Sequence, residues 1–184
     1  GLMRLPMIGE EIDMEQTKKM VDTFMAKGFT YFDTAYVYIG GKSEVALKEA
    51  VVDRYPRDSF QCATKLPLWD LKDAAEMEKI FQESLDRAGL EYYDFYLLHA
   101  MSTERVQKAD EVGAWDFMKK LKAEGRVKHI GFSFHDTAEA LENILKAHPE
   151  MEFVQLQINY VDWESESVQS RKCYEVARKY NKPV

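Results

Sequence analysis

The stretch YFDTAYVYIGGKSE, residues 31–44, decides the fold. A β-prone run from Phe29 to Thr34 delivers a carboxylate, Asp33. Tyr38 follows five residues later, and the pair Gly40 and Gly41 precedes a helix-forming run that opens at Ser43. The tail GGKS (40–43) imitates the end of a phosphate-binding loop. That loop requires a further glycine at position 36, where Tyr36 stands. No G-x-G-x-x-G occurs anywhere in the chain, so an open dinucleotide-binding sheet lacks the glycine turn after its first strand. Of the parallel architectures, a barrel is left.

Outward from this stretch, helical and strand patterns alternate. Asp13 and Gln16 read as a cap, Met14, Val21, Phe24 and Met25 as a stripe, and Gly28 as a stop, which predicts a helix over 14–27. The strand 29–34 and a helix from Ser43 to about Val52 come next. Then follow strand 60–65, helix 73–88 closed by Gly89, strand 93–99, and helix 111–124 closed by Gly125. Strand 127–133, a helix from Thr137 to Lys146, strand 153–159 and a helix from Ser165 to Tyr180 complete the pattern. Strands separated by helices imply right-handed βαβ units and a parallel sheet. The expected fold class is therefore α/β, a (β/α)8 barrel.

In such a barrel, function gathers at the C-terminal ends of the strands. Those ends are Asp33, Lys65, His99, Ser133, and Gln155 with Asn159; every one is polar. Polar strand ends alone are ordinary, because they meet solvent. Asp33 as a loop cap, Tyr38 as a cover for apolar surface, Lys65 at the surface and His99 as a structural histidine are each the plainer reading when taken singly. Trp69 and Leu68 either line a substrate mouth or steady a loop, and His135 touches either a ligand or only its own loop. His129, mid-strand, reads as structural and His148 as a solvated helix end.

Composition narrows the partners. The chain has 184 residues, 46% hydrophobic and 31% charged, with a net charge of -7 and a pI of about 5.2. An acidic surface argues against nucleic acid and anionic membranes, which need a clustered positive field. Cys62 and Cys173 have no metal-type spacing, no apolar run is long enough to span a membrane, and a cytoplasmic location is expected.

The motifs FDTAYVY, ATKLP, DFYLLH and IGFS resemble the aldo-keto reductases over essentially the whole chain. The resemblance implies a barrel of that type and a catalytic tetrad of Asp33, Tyr38, Lys65 and His99. It also implies NADP or NAD as cofactor, NADPH being favoured, with Ser133 and Gln155 holding the nicotinamide carboxamide, and a small-molecule carbonyl substrate. Many members follow the serine with asparagine, where this chain has Phe134 and His135. The opening GLMRLPM, with GGKSE and GFSFHD, is most similar to a prokaryotic subgroup whose barrel is followed by a ferredoxin-like iron–sulfur segment, so a 4Fe-4S cluster outside this chain is also implied. The 184 residues read as one barrel domain, incomplete at both ends, holding about six of eight β/α units. A cofactor-binding regulatory module with little turnover is the alternative.

The chemistry also follows from residue types. Adding hydride to a carbonyl leaves an alkoxide-like oxygen that needs a proton. Tyrosine is a weak acid, with a pKa of about 10; an ammonium beside it, Lys65, is expected to lower that value, and Asp33 to keep the lysine charged and aimed. His99 would donate to the carbonyl oxygen. The geometry expected is Lys65 within about 4 Å of Asp33 and about 3 Å of the Tyr38 hydroxyl.

Overall fold

The computed structural model describes residues 1–69 and 71–184. A short antiparallel hairpin, β1 (Met7–Ile8) and β2 (Glu11–Ile12), leads into α1 (Met14–Ala26). Two-residue strands carry too little pattern to be seen in sequence. The Asp13 cap forms as expected, its Oδ1 accepting from the Gln16 N–H at 2.9 Å.

Five parallel strands follow: β3 (Tyr31–Asp33), β4 (Gln61–Leu66), β5 (Tyr93–Met101), β6 (Val127–Phe134) and β7 (Phe153–Gln155). They lie side by side in chain order, β3-β4-β5-β6-β7, with every neighbouring pair parallel. Sequential order without a reversal is the winding of a barrel, not of a doubly wound sheet. The sheet also curls. Laid flat, Asp33 on the first strand and Gln155 on the last would stand about 19 Å apart, four strand spacings. Instead Gln155 Nε2 donates to Asp33 Oδ1 at 3.1 Å.

Helices cover the outside: α2 (Lys42–Leu47) continuing into a π turn (Lys48–Val52), α3 (Ala74–Ala88), α4 (Thr103–Val112), α5 (Ala114–Ala123), α6 (Ala138–Ala147) and α7 (Ser170–Lys179). The strands carry the centre of the core, and Cys62, Ala63, Leu66, Tyr96, Leu97, Leu98 and Phe132 are wholly buried. At the N-terminal ends of the strands, buried Asp94 accepts from Arg57 at 2.7 Å, Lys128 at 2.9 Å and the Cys62 N–H at 2.9 Å. That end of the sheet is thereby closed by an ion-pair cluster.

Three sequence expectations are corrected. The helix expected over 111–124 begins at Ala114, and a helix not expected, α4, precedes it; Gly113 takes φ of +70° and serves as the last cap of α4 and the first of α5. The strand expected over 153–159 ends at Gln155, since Asn159 folds the chain into a turn. Its Oδ1 accepts the N–H groups of Val161 and Asp162 at 3.0 and 2.9 Å. The last helix starts at Ser170 rather than Ser165. None of the described helices is long and apolar enough to cross a membrane.

Candidate active site

The C-terminal ends of β3, β4 and β5 bring four predicted residues together. Lys65, near the end of β4, is 1% exposed. Burying an ammonium is costly unless it is paired and hydrogen-bonded, and here all three of its donor directions are met. Nζ donates to Asp33 Oδ1 at 2.7 Å, to the Thr34 carbonyl at 2.7 Å and to the Tyr38 hydroxyl at 3.2 Å. Both expected distances are met. The Thr34 carbonyl is an additional partner that residue type cannot reveal, since every residue has one.

Tyr38 begins a 3-10 turn, Tyr38–Gly41, that carries the chain from the strand end into α2. Ile39 there adopts φ of +51° and ψ of +42°, a left-handed conformation that costs a β-branched residue about 1–3 kcal/mol. Because the phenol oxygen accepts from Lys65, its own proton is free to be donated. Burial first, and then the negative charge of Asp33, push the phenol up to about 12. This reverses the expected lowering by Lys65: the ammonium is matched by Asp33, so burial decides.

His99 closes the group. Its ring stands edge-on to Tyr38 with centroids 5.6 Å apart and tilted to Trp69 at 5.3 Å. Burial, followed by the charges of Lys65 and Arg105, lowers its pKa to about 3, so it is a neutral imidazole at physiological pH. Its buried Nδ1 has no hydrogen-bond partner among the described residues, which leaves hydrogen-bonding capacity the protein itself does not use. Trp69 is also covered by the Arg105 guanidinium, 5.2 Å from its ring centroid. His135 is held by its backbone N–H to the Met101 carbonyl at 3.2 Å.

Ser133 and Gln155 lie on β6 and β7, paired in register. Ser133 Oγ accepts the Ala100 N–H at 2.7 Å, which leaves its own proton to give. Gln155 is tied to Asp33 and so to the Lys65 cluster. Asn159 is not drawn into the site. What sequence reasoning missed is the shell behind Tyr38: Tyr36, Glu44, Glu83 and Arg87 bond to one another there. Arg87 and Glu83 are four residues apart on a helix, which in sequence reads as a surface pair.

The profile of the aldo/keto reductase family matches residues 1–184. An aldo-keto reductase of Mycobacterium tuberculosis strain H37Rv is 29% identical over 162 residues, 86% of this chain and 53% of that protein. A probable aldo-keto reductase of Glycine max is 32% identical over 146 residues, 75% of this chain and 40% of that protein. The chain therefore spans about half the length of these curated relatives. The crystal structure of an aldo-keto reductase from Klebsiella pneumoniae in complex with NADPH superposes with a TM-score of 0.74 at 25% identity, covering 96% of this chain and 59% of that one.

Proposed function

This chain belongs to the aldo/keto reductase family, and on that premise we propose that it forms the catalytic part of an NAD(P)H-dependent oxidoreductase that reduces an aldehyde or ketone to an alcohol, with Tyr38 as general acid. The observation that carries the reading is the buried Lys65 ammonium, held between Asp33 and the Tyr38 hydroxyl, with neutral His99 beside the phenol.

The residues fit a nicotinamide cofactor. A carboxamide presents one carbonyl and one amino group; Ser133 has a proton to give and Gln155 a free amide oxygen to accept with. A bound reduced nicotinamide supplies the hydride to the carbonyl carbon. Tyr38 gives its proton to the oxygen on which negative charge develops. His99, neutral, orients that oxygen. Lys65 lies ready to stabilise the phenolate left behind, and Asp33 keeps Lys65 charged in a site that would otherwise strip its proton.

NADPH is the favoured cofactor, and the Klebsiella structure is of a complex with it. The narrower reading, a subgroup member with an iron–sulfur segment, rests on the opening and loop motifs. This chain's own cysteines do not fit a cluster: Cys62 is buried in β4 and Cys173 in α7, and no metal-type group of His, Cys, Asp and Glu occurs among the described residues. The experiment is NADPH oxidation by the full-length protein across a panel of aldehydes and ketones. Turnover supports the reading. Quenching of nicotinamide fluorescence without any reduction points instead to a binding module.

A further inference from the structure

Tyr38 leads into a backbone run that needs holding. The three residues after it all take left-handed φ: Ile39 at +51°, Gly40 at +62° and Gly41 at +89°. Glycine adopts this freely, but isoleucine stays there only where surrounding contacts force it.

The contacts that flank this run converge on Arg87, in the last turn of α3. Its Nη1 donates to the Tyr36 carbonyl at 3.2 Å and lies 3.5 Å from Glu44 Oε2. Its guanidinium carbon stands 4.3 Å from the centroid of the Tyr36 ring, and Nη2 lies 3.6 Å from Glu83 Oε2. The Tyr36 hydroxyl donates to that same Glu83 oxygen at 2.6 Å. At the far end of the run, Gly41 sits under the guanidinium so closely that a Cβ would lie 2.9 Å from Nη1. One side chain therefore grips residues 36 and 41, and Tyr38 lies between them.

The grip is anchored to the lysine as well. Glu44, wholly buried, accepts from the Thr64 hydroxyl at 2.6 Å, and Thr64 immediately precedes Lys65 in β4. An ion pair built for stability alone needs neither the Tyr36 carbonyl nor contact with Gly41.

We propose that Arg87 is a positioning residue, a clamp on the 36–41 loop that keeps the Tyr38 hydroxyl at 3.2 Å from Lys65 Nζ. A lysine at 87 would supply the charge but not the planar fork that reaches Tyr36, Glu44 and Glu83 together.

The test uses the full-length protein with 13Cζ-labelled tyrosine, Tyr38 being assigned by its loss in Tyr38→Phe. The charged or titratable groups around the phenol are Asp33, Lys65 and His99. In Arg87→Met the loop relaxes outward, and the Tyr38 titration falls from about 12 toward the ordinary value of about 10. Misplacement of the acid lowers kcat by roughly 10²-fold while NADPH affinity stays unchanged. Arg87→Lys falls between the two. Should Arg87→Met fail to fold, Arg87→Lys and Glu83→Gln decide on the same readings. A Tyr38 titration unmoved in the folded variants, with only the melting temperature lowered, overturns the clamp. The kinetic arm rests on the acid role proposed for Tyr38; the titration does not. A shifted titration with unchanged kcat therefore keeps the clamp and removes the acid role.

Discussion

Lys65 Nζ lies 3.2 Å from the Tyr38 hydroxyl, yet the phenol is pushed up to about 12, not down. The same ammonium is bonded more closely to Asp33, at 2.7 Å, so the phenol faces a nearly neutral pair inside a buried site. Burial then favours the uncharged form. The result is a tyrosine that keeps its proton throughout the neutral range, as a proton donor must before the substrate oxygen gains charge. In this state Lys65 acts through its hydrogen bond, which holds the phenol oxygen in place.

Asp33→Asn leaves a 1%-exposed ammonium without its counter-ion. Breaking a buried pair in this way is expected to cost about 3–5 kcal/mol. Lys65 already titrates below its ordinary value because of burial, and the variant lowers it further. The unfolded chain then binds the proton more tightly than the folded one, so stability rises with pH toward the unfolded value of about 10.4. Urea denaturation of variant and parent from pH 7 to pH 10 checks this; a variant whose stability rises with pH no more steeply than the parent's would contradict it.

His99 makes the opposite end of the pH scale informative. Its folded value is about 3, against an ordinary value of 6.5. Between these values the unfolded state binds a proton that the folded state refuses. Its contribution is therefore fully present above pH 6.5 and is lost as pH falls toward 3. The slope is at most about 1.4 kcal/mol per pH unit. His99→Gln should flatten the acid limb of stability. An acid limb identical in parent and variant would show that His99 is not buried as described.

Gly131→Ala tests how the residues proposed to hold the cofactor are placed. Gly131 in β6 faces β7, and a Cβ there would lie 2.4 Å from the Phe153 carbonyl oxygen, a backbone atom that cannot turn aside. Overpacking of this kind costs about 1–3 kcal/mol. Displacing β7 moves Gln155, two residues along, off its contact with Asp33. Weaker NADPH binding by fluorescence titration, with the protein still folded, is the expected outcome; unchanged affinity would separate Gln155 from the cofactor.

Much of this was legible in the sequence because β-prone runs end in polar residues whose types are unusual together. Asp33, Lys65 and His99 each close an apolar run, and the alternation of β-prone and helical segments places those ends on one rim. What escaped has physical causes. Helix α4 escaped because its stretch is mostly polar and charged, and Gly113, its cap, looked like part of the helix that follows. Strand β7 looked longer because Leu156 and Ile158 continue its apolar alternation, and only the Asn159 turn stops it. The raised pKa of Tyr38 needs the depth of burial, and the Arg87 network needs three elements packed together; neither is a property of local sequence.

The central claim is that Tyr38 donates the proton, and kcat for NADPH-dependent reduction of one turned-over aldehyde in Tyr38→Phe against the parent tests it most directly. Phenylalanine keeps the ring beside His99 and Lys65 and removes only the hydroxyl. Loss of a general acid is expected to lower kcat by roughly 10²–10⁴-fold, with NADPH affinity unchanged. A Tyr38→Phe enzyme that turns over at the parent rate would contradict it.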